Sequence, residues 1–286
     1  MNPTSPRFTI VTPSYNQLDW LKLAASSVAD QERDDAIAVQ HIISDGGSAE
    51  MKAFQKWAAD QAACISYRIG PDAGMYDAIN QGLQQAEGDL CAWLNCDEQY
   101  LPGTLKKVSD YFEKHPEVDV LFGDAILVDQ SGHALSYRRA VLPDRAHLRL
   151  SHINTLSCAT FFRKSVVERP VLFDIRWRAI GDAEWMDRVL AAGFRPAVLP
   201  EPLAVFTWLP ENLSNSERAG SEIKTWRGGV AGAWFRKPWA VLRHRVCKMR
   251  AGAYRRRDLN YAIYTRENAQ SRSVFQAHGV GWSWPG

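Results

Sequence analysis

Apolar and polar residues in the first half of the chain follow a rhythm that switches between a period of two and a period near 3.6. Phe8-Thr9-Ile10-Val11-Thr12 reads as a strand, followed by a helical pattern over residues 18–28. Residues 39–43, 65–69 and 90–95 repeat the strand pattern, and helical patterns follow them over about 49–62, 75–86 and 103–114. Four strand–helix units in series predict a parallel sheet covered by helices on both faces. After Val118-Asp119-Val120-Leu121-Phe122 the rhythm changes. Residues 125–139, with Ser131-Gly132 at their centre, predict a hairpin. A helix over 182–192 and extended runs over 195–199 and 203–206 close the region.

Beyond about residue 210 the composition turns basic and rich in tryptophan, which divides the chain into a domain over 1–210 and an extension over 211–286. Residues 223–286 hold 13 Lys and Arg against Asp258 and Glu267, a charge of +11. The whole chain carries only +2, so the preceding residues carry −9 and the two parts face different partners. A hydrophobic content of 46% is that of a soluble globular enzyme. No run approaches the ~20 apolar residues of a membrane span, and no apolar segment follows the start Met1-Asn2-Pro3-Thr4-Ser5-Pro6-Arg7 as a signal peptide would require. The expected location is the cytoplasm. Cys64, Cys91, Cys96, Cys158 and Cys247 form no CxxC pair, and the seven histidines have no paired spacing. Reduced, buried thiols are expected, and a zinc site is not.

The predicted strands end in acids: Asp45 after the second, Asp72 after the third, Asp97-Glu98 after the fourth and Asp124 after the fifth. Open α/β sheets bind ligands at that edge. Asp and Gly are also ordinary turn and cap formers, which accounts for any one of these acids taken singly. Asp97-Glu98 is different, because it directly follows a buried run and sits beside Asn95. Two adjacent like charges disfavour one another unless a cation compensates. The chain has no GxxxxGK[ST] loop and no GxGxxG fingerprint to cradle phosphate. A nucleotide would therefore approach this edge through Mg²⁺ or Mn²⁺ bridging carboxylate and diphosphate.

Five pieces in order resemble the family 2 glycosyltransferases: Thr9-Ile10-Val11-Thr12-Pro13-Ser14-Tyr15-Asn16, Ile43-Ser44-Asp45-Gly46-Gly47-Ser48, the stretch from Pro71-Asp72-Ala73-Gly74-Met75-Tyr76 to Asn80-Gln81-Gly82, Leu94-Asn95-Cys96-Asp97-Glu98, and Gly181-Asp182-Ala183-Glu184-Trp185. The resemblance covers about residues 7–206. It implies a GT-A fold, a mixed α/β sheet with helices on both faces, and an inverting, nucleotide-sugar-dependent transferase. By resemblance Pro13 and Tyr15 line the base pocket, Asp45 bonds the base edge, and Asp72 and Asn80 approach the nucleotide or sugar. Asn95-Cys96-Asp97 stands at the DxD position, with Asp97 and then Glu98 as metal ligands and Asn95 in place of the first aspartate. Ala73 departs from relatives that often place Lys there. Asp182 is the expected catalytic base, its neighbours Trp185 and Met186 suggesting partial desolvation. Glu184 ranks second, and His152 lies where relatives face the acceptor.

The implied partners are a nucleoside diphosphate sugar and a glycan or glycolipid acceptor, as in assembly of a bacterial surface polysaccharide. Arg243-His244-Arg245, Lys248-Met249-Arg250 and Arg255-Arg256-Arg257, interleaved with Trp226, Trp234, Trp239, Trp282 and Trp284, suit peripheral contact with anionic lipid at the inner face of the membrane. The alternative is an extension packed on the domain or on a second copy in a homo-oligomer. No nucleic-acid module surrounds these residues, so no nucleic-acid partner is expected. Two rival readings are a nucleotidyltransferase, which would carry a glycine-rich phosphate loop after the first strand, and a non-catalytic sugar-nucleotide-binding protein on the same fold.

Overall fold

Strand and helix alternate from β1 (Phe8–Ser14) through α1 (Leu18–Asp35), β2 (Val39–Asp45), α2 (Met51–Ala59), β3 (Ile65–Ile69) and α3 (Met75–Leu83) to β4 (Leu90–Trp93). The computed structural model describes residues 7–60, 65–169, 171–209, 216–228, 230 and 232–285. Cys64 and the division expected at residue 210 lie outside them. Then follow β5 (Glu98–Tyr100), α4 (Thr104–Lys114), β6 (Val120–Val128), β7 (Ala134–Arg138), α5 (Arg145–Leu150), β8 (Thr160–Arg163), α6 (Ser165–Glu168), α7 (Gly181–Ala191) and β9 (Pro196–Thr207). The basic segment supplies α8 (Glu217–Arg227), α9 (Ala233–Arg250), β10 (Arg257–Ile263) and β11 (Ser273–Val280).

The main sheet runs β3-β2-β1-β4-β8-β6-β9-β5, with β7 paired to β6. β1 pairs in parallel with both β2 and β4, and every residue of β1 and β4 is buried, which is why these strands read as continuous apolar runs. From β4 onward the sheet is mixed, because β8 runs antiparallel to both β4 and β6. The two extended runs expected over 195–206 are one strand, β9, which shifts register against β6 around Asp124. The chain steps outward from β1 to β3 and then returns to the other side of β1 as β4. That reversal opens a crevice beyond the carboxyl ends of β1 and β4.

Two cores flank the sheet. On one face Val11, Trp93, Phe162 and Phe173 pack with Ile79 of α3 and Trp185 of α7, and Phe173 stacks on Trp185 with ring centroids 5.1 Å apart. On the other face Ile10, Ala92, Leu121 and Phe161 pack against Ala24 and Val28 of α1 and Leu105 and Phe112 of α4. A third cluster joins Tyr261, Ile263 and Val280 of the β10–β11 hairpin to Ile126, Val128, Tyr137 and Val205 of the main sheet. Gln99 binds the backbone of Tyr264 in both directions, at 2.9 Å each. The basic segment thus contributes core to the sheet as well as surface. Among the described residues no helix is long and apolar enough to cross a membrane.

Candidate active site

The crevice holds a cavity of about 740 Å³ lined by the ends of β1 and β4, the loop into α3, and the start of α7. Pro13, Tyr15, Asp72, Asn95, Asp97 and Asp182 all line it, although 169 residues separate the first from the last. The loop after β4 is tied to β1 by Cys96, whose Sγ donates to the carbonyl of Pro13 at 3.1 Å. Tyr15 is 64% exposed at the mouth, an aromatic face open to a planar ligand.

Some of the acids expected at this edge line the cavity, and others are engaged within its walls. Glu98, expected as a metal ligand, is fully buried and does not line it. One carboxylate oxygen accepts from the Asn95 amide at 2.8 Å and the other from Ser157 Oγ at 2.6 Å. The physical reason is that Glu98 opens β5, which is pinned antiparallel to β9. Asp45, expected to touch a base, is also fully buried and spends its oxygens on its own loop, accepting from Gly47 N, Ser48 N and Ser48 Oγ. Ser48 Oγ in turn accepts from Asn16 N at 2.7 Å, so Asp45 holds the Tyr15 loop from behind. Asn80 clamps Phe173, giving to its carbonyl and accepting from its amide at 2.8 Å each, and does not reach the cavity. Asp124 lies inside β6, where Tyr137 Oη, Arg139 and the Ala140 amide satisfy it. It is not at the ligand edge.

Glu184 pairs with Arg188 at 2.7 Å on the flank of α7, away from the cavity. His152 is absent from the lining too, and instead meets His147 and His244. The histidines, which showed no metal spacing in the sequence, do come together in space.

Asp72, Asp97 and Asp182 remain. Asp72 accepts from the Gly74 amide at 2.7 Å, which shapes the turn into α3. Asp97 is held above the ordinary carboxylate range by burial, and Glu98 is raised by burial and then by Asp97 beside it. The Asn95 side-chain oxygen is buried and has no partner. A carboxylate short of compensation next to an unpaired amide oxygen is a donor set that fits a hard divalent cation. Asp182, the second residue of α7, is likewise raised by burial, and Tyr76 Oη stands 3.5 Å from it. Gly181 makes that approach feasible, since a Cβ there would come within 2.6 Å of the Tyr76 ring.

Sequence reasoning missed Arg178, the cation that lines the cavity beside these three acids. Its guanidinium lies over Gly74, where an added Cβ would sit 2.1 Å from Nη1, and Gly74 also has φ of +109°, which only glycine adopts readily. Arg178 therefore occupies the space next to Ala73, where the sequence lacked a positive charge. Its backbone is fixed by Glu222 of α8, whose carboxylate accepts from Arg178 N at 3.0 Å and Ala179 N at 2.9 Å. No local pattern signals either residue, because the pairing spans 44 positions. Among the described residues, three carboxylates and one guanidinium line the cavity, a net negative set.

Residues 9–169 match the family model described as glycosyl transferase family 2. A PGL/p-HBAD biosynthesis glycosyltransferase of Mycobacterium bovis is 25% identical over 181 residues, 62% of this chain and 67% of that protein. An uncharacterized glycosyltransferase of Rickettsia conorii is 26% identical over 47% of this chain, but the match spans only 22% of that longer protein. Among solved structures, S. aureus TarS residues 1–349 in complex with UDP superposes with a TM-score of 0.57 at 16% identity, covering 86% of this chain and 74% of that one. The mannosyltransferase PcManGT of Pyrobaculum calidifontis, in complex with GDP-Man and Mn²⁺, gives 0.54 at 15% identity over 88% and 76%. These likenesses establish the GT-A fold.

Proposed function

Since this chain belongs to glycosyl transferase family 2, we propose that it moves a sugar, with inversion, from a nucleoside diphosphate donor to a hydroxyl of a glycan or lipid-linked acceptor in surface polysaccharide assembly. The observation that carries the reading is the convergence of Asp72, Asp97, Asp182 and Arg178, from separate elements, on one cavity, with the buried and unpartnered side-chain oxygen of Asn95 beside Asp97. TarS has been seen with UDP-GlcNAc and PcManGT with GDP-Man. Donors of that class suit a cavity of this size and charge.

Tyr15 and Pro13 receive the base, Asp72 the ribose or sugar hydroxyls, and Arg178 a phosphate oxygen. Asp97, with Asn95, would hold Mg²⁺ or Mn²⁺, which supplies charge neutralisation of the diphosphate. Asp182 takes the proton of the acceptor hydroxyl. The acceptor oxygen attacks the anomeric carbon from the face opposite the diphosphate, and the bond to the departing phosphate oxygen breaks with its electron pair. One displacement inverts the centre. Burial of Asp182 strengthens it as a base, and Tyr76 limits how its carboxylate can turn.

A thermal-shift panel of nucleoside diphosphates and their sugars, with and without Mn²⁺, tests the reading. A Mn²⁺-dependent rise for one donor, with slow hydrolysis of that donor, is the expected result. Binding without hydrolysis would favour a non-catalytic sugar-nucleotide-binding protein, and indifference to chelator would remove the metal.

We also place the chain at an anionic membrane surface. Phe235, Trp239, Leu242 and Met249 recur along one side of α9 and are 52%, 73%, 52% and 59% exposed, with Trp234 at 85% beside them. Arg245 and Arg250 flank this apolar strip on either side, the arrangement of an interfacial helix. Co-sedimentation with phosphatidylglycerol vesicles checks it: binding should fall with salt and with Trp234→Ser/Trp239→Ser, and no binding to such vesicles at low salt would refute it.

A further inference from the structure

Three imidazoles meet outside the cavity. His147 lies on α5, His152 just past its end, and His244 in the middle of α9. The His147 and His244 rings stack with centroids 3.7 Å apart, and His152 stands edge-on to His147 at 4.6 Å. Each ring offers a nitrogen, and these nitrogens all fall within 4.8 Å of one another.

Their hydrogen-bond state is anomalous. His147 is 1% exposed and His244 is 5% exposed, yet neither ring nitrogen of His147 nor Nε2 of His244 has a partner. A neutral imidazole carries one N–H and one lone pair, so His147 forfeits both on folding, and buried polar groups left in that state are rare. His152 differs in a telling way. Its Nδ1 is engaged by Ser151 Oγ at 3.0 Å, which leaves Nε2 as its outward donor atom. A ligand histidine is commonly oriented through its other nitrogen in this manner.

We propose that His147, His152 and His244 bind one Zn²⁺ ion and so clasp α9 to α5. All three donors are neutral imidazole nitrogens with no carboxylate oxygen among them, which selects ions of the zinc class over Mg²⁺, Mn²⁺ or Ca²⁺. Imidazole lone pairs lie in the ring plane, so a tetrahedral ion with Zn–N bonds of ~2.0–2.1 Å would turn the His147 and His244 rings out of their stack to converge on it, and the fourth position is left to water. The Lys248 ammonium, near all three rings, and Arg138, near His152, oppose a cation and weaken its binding. On the other side Asp144 accepts from the His147 amide at 2.9 Å and pairs with Arg243 of α9, a second link between the same elements.

The test uses the untagged full chain, stripped with chelator and titrated with Co²⁺ in saturating Mg²⁺, which fills an oxygen-rich site in the cavity. The expected result is one equivalent of Co²⁺ with the visible absorption of a tetrahedral nitrogen site, displaced by Zn²⁺. Zn²⁺ at about 100 times its Kd should raise Tm by roughly 5 °C. His152→Ala, an exposed position that spares the fold, and His244→Gln should each weaken uptake at least tenfold, while Asp97→Ala leaves it unchanged. Absence of stoichiometric uptake, uptake that survives both histidine substitutions, or uptake lost with Asp97→Ala would each overturn the site. Should His244→Gln misfold, His152→Ala decides alone.

Discussion

Asp182 and Asp124 are both acids within the residues that precede the basic segment, and the fold places them in opposite settings. Asp124 is fully buried in β6 with three donors on its oxygens, one of them Arg139 in an ion pair at 2.7 Å. Asp182 faces the cavity with its own helix amide and a long contact to Tyr76 as its hydrogen-bond partners. A satisfied carboxylate has spent its charge on the fold; an under-satisfied one stores it for a ligand. The contrast teaches that such acids cannot be sorted by their place in the sequence: Asp124 is enclosed inside β6, whereas Asp182, at the start of α7, lines the cavity.

Substitutions can break this contrast. The largest effect is expected from Asp182→Asn, which should lower kcat by about 10²–10⁴-fold with donor binding retained, read by steady-state kinetics and donor titration. Asp97→Ala should lose both turnover and the Mn²⁺-dependent thermal shift; a variant that keeps that shift would remove Asp97 from the metal. Asp124→Ala should do the reverse, costing about 3–5 kcal/mol of stability in urea unfolding because Arg139 is left unpaired, while donor affinity per folded molecule stays unchanged.

A smaller effect runs through pH. Burial raises Asp182 in the folded state, so the protonated form is favoured there and its contribution to stability is full below the unfolded carboxylate value and lost as pH rises through the folded one. At pH 7–8 Asp182→Asn should therefore melt above the parent chain, and the gain should shrink on acidification toward pH 4. A variant less stable at every pH would assign Asp182 a bracing task instead. The smallest effect is expected from Glu222→Gln, which weakens the anchor under Arg178 and should raise the donor KM several-fold with kcat little changed.

How much of this was legible follows from the distance over which each feature is encoded. The first four strands and their helices were readable because β1 and β4 are apolar throughout and the helices between them carry regular apolar stripes. That Asp72, Asp97 and Asp182 line one cavity was readable because each sits at a local boundary, after a strand or at a helix start. Glu98 misled for a long-range reason. Three residues, Glu98-Gln99-Tyr100, fold back as a strand against Phe206, Val205 and Ala204, and nothing near residue 98 announces a partner a hundred positions away. Arg178 with Glu222, and His147 with His244, are hidden in the same way.

The shared cluster of Tyr261, Ile263 and Val280 with Ile126, Val128 and Val205 has a practical corollary. Trimming a gene at the compositional boundary near codon 210 would strip the cover from one side of the sheet and leave Gln99 without the main-chain groups that hold it. Such a shortened product should collect in inclusion bodies, and an expressible enzyme should need far more of the chain than residues 9–169, which match the family model.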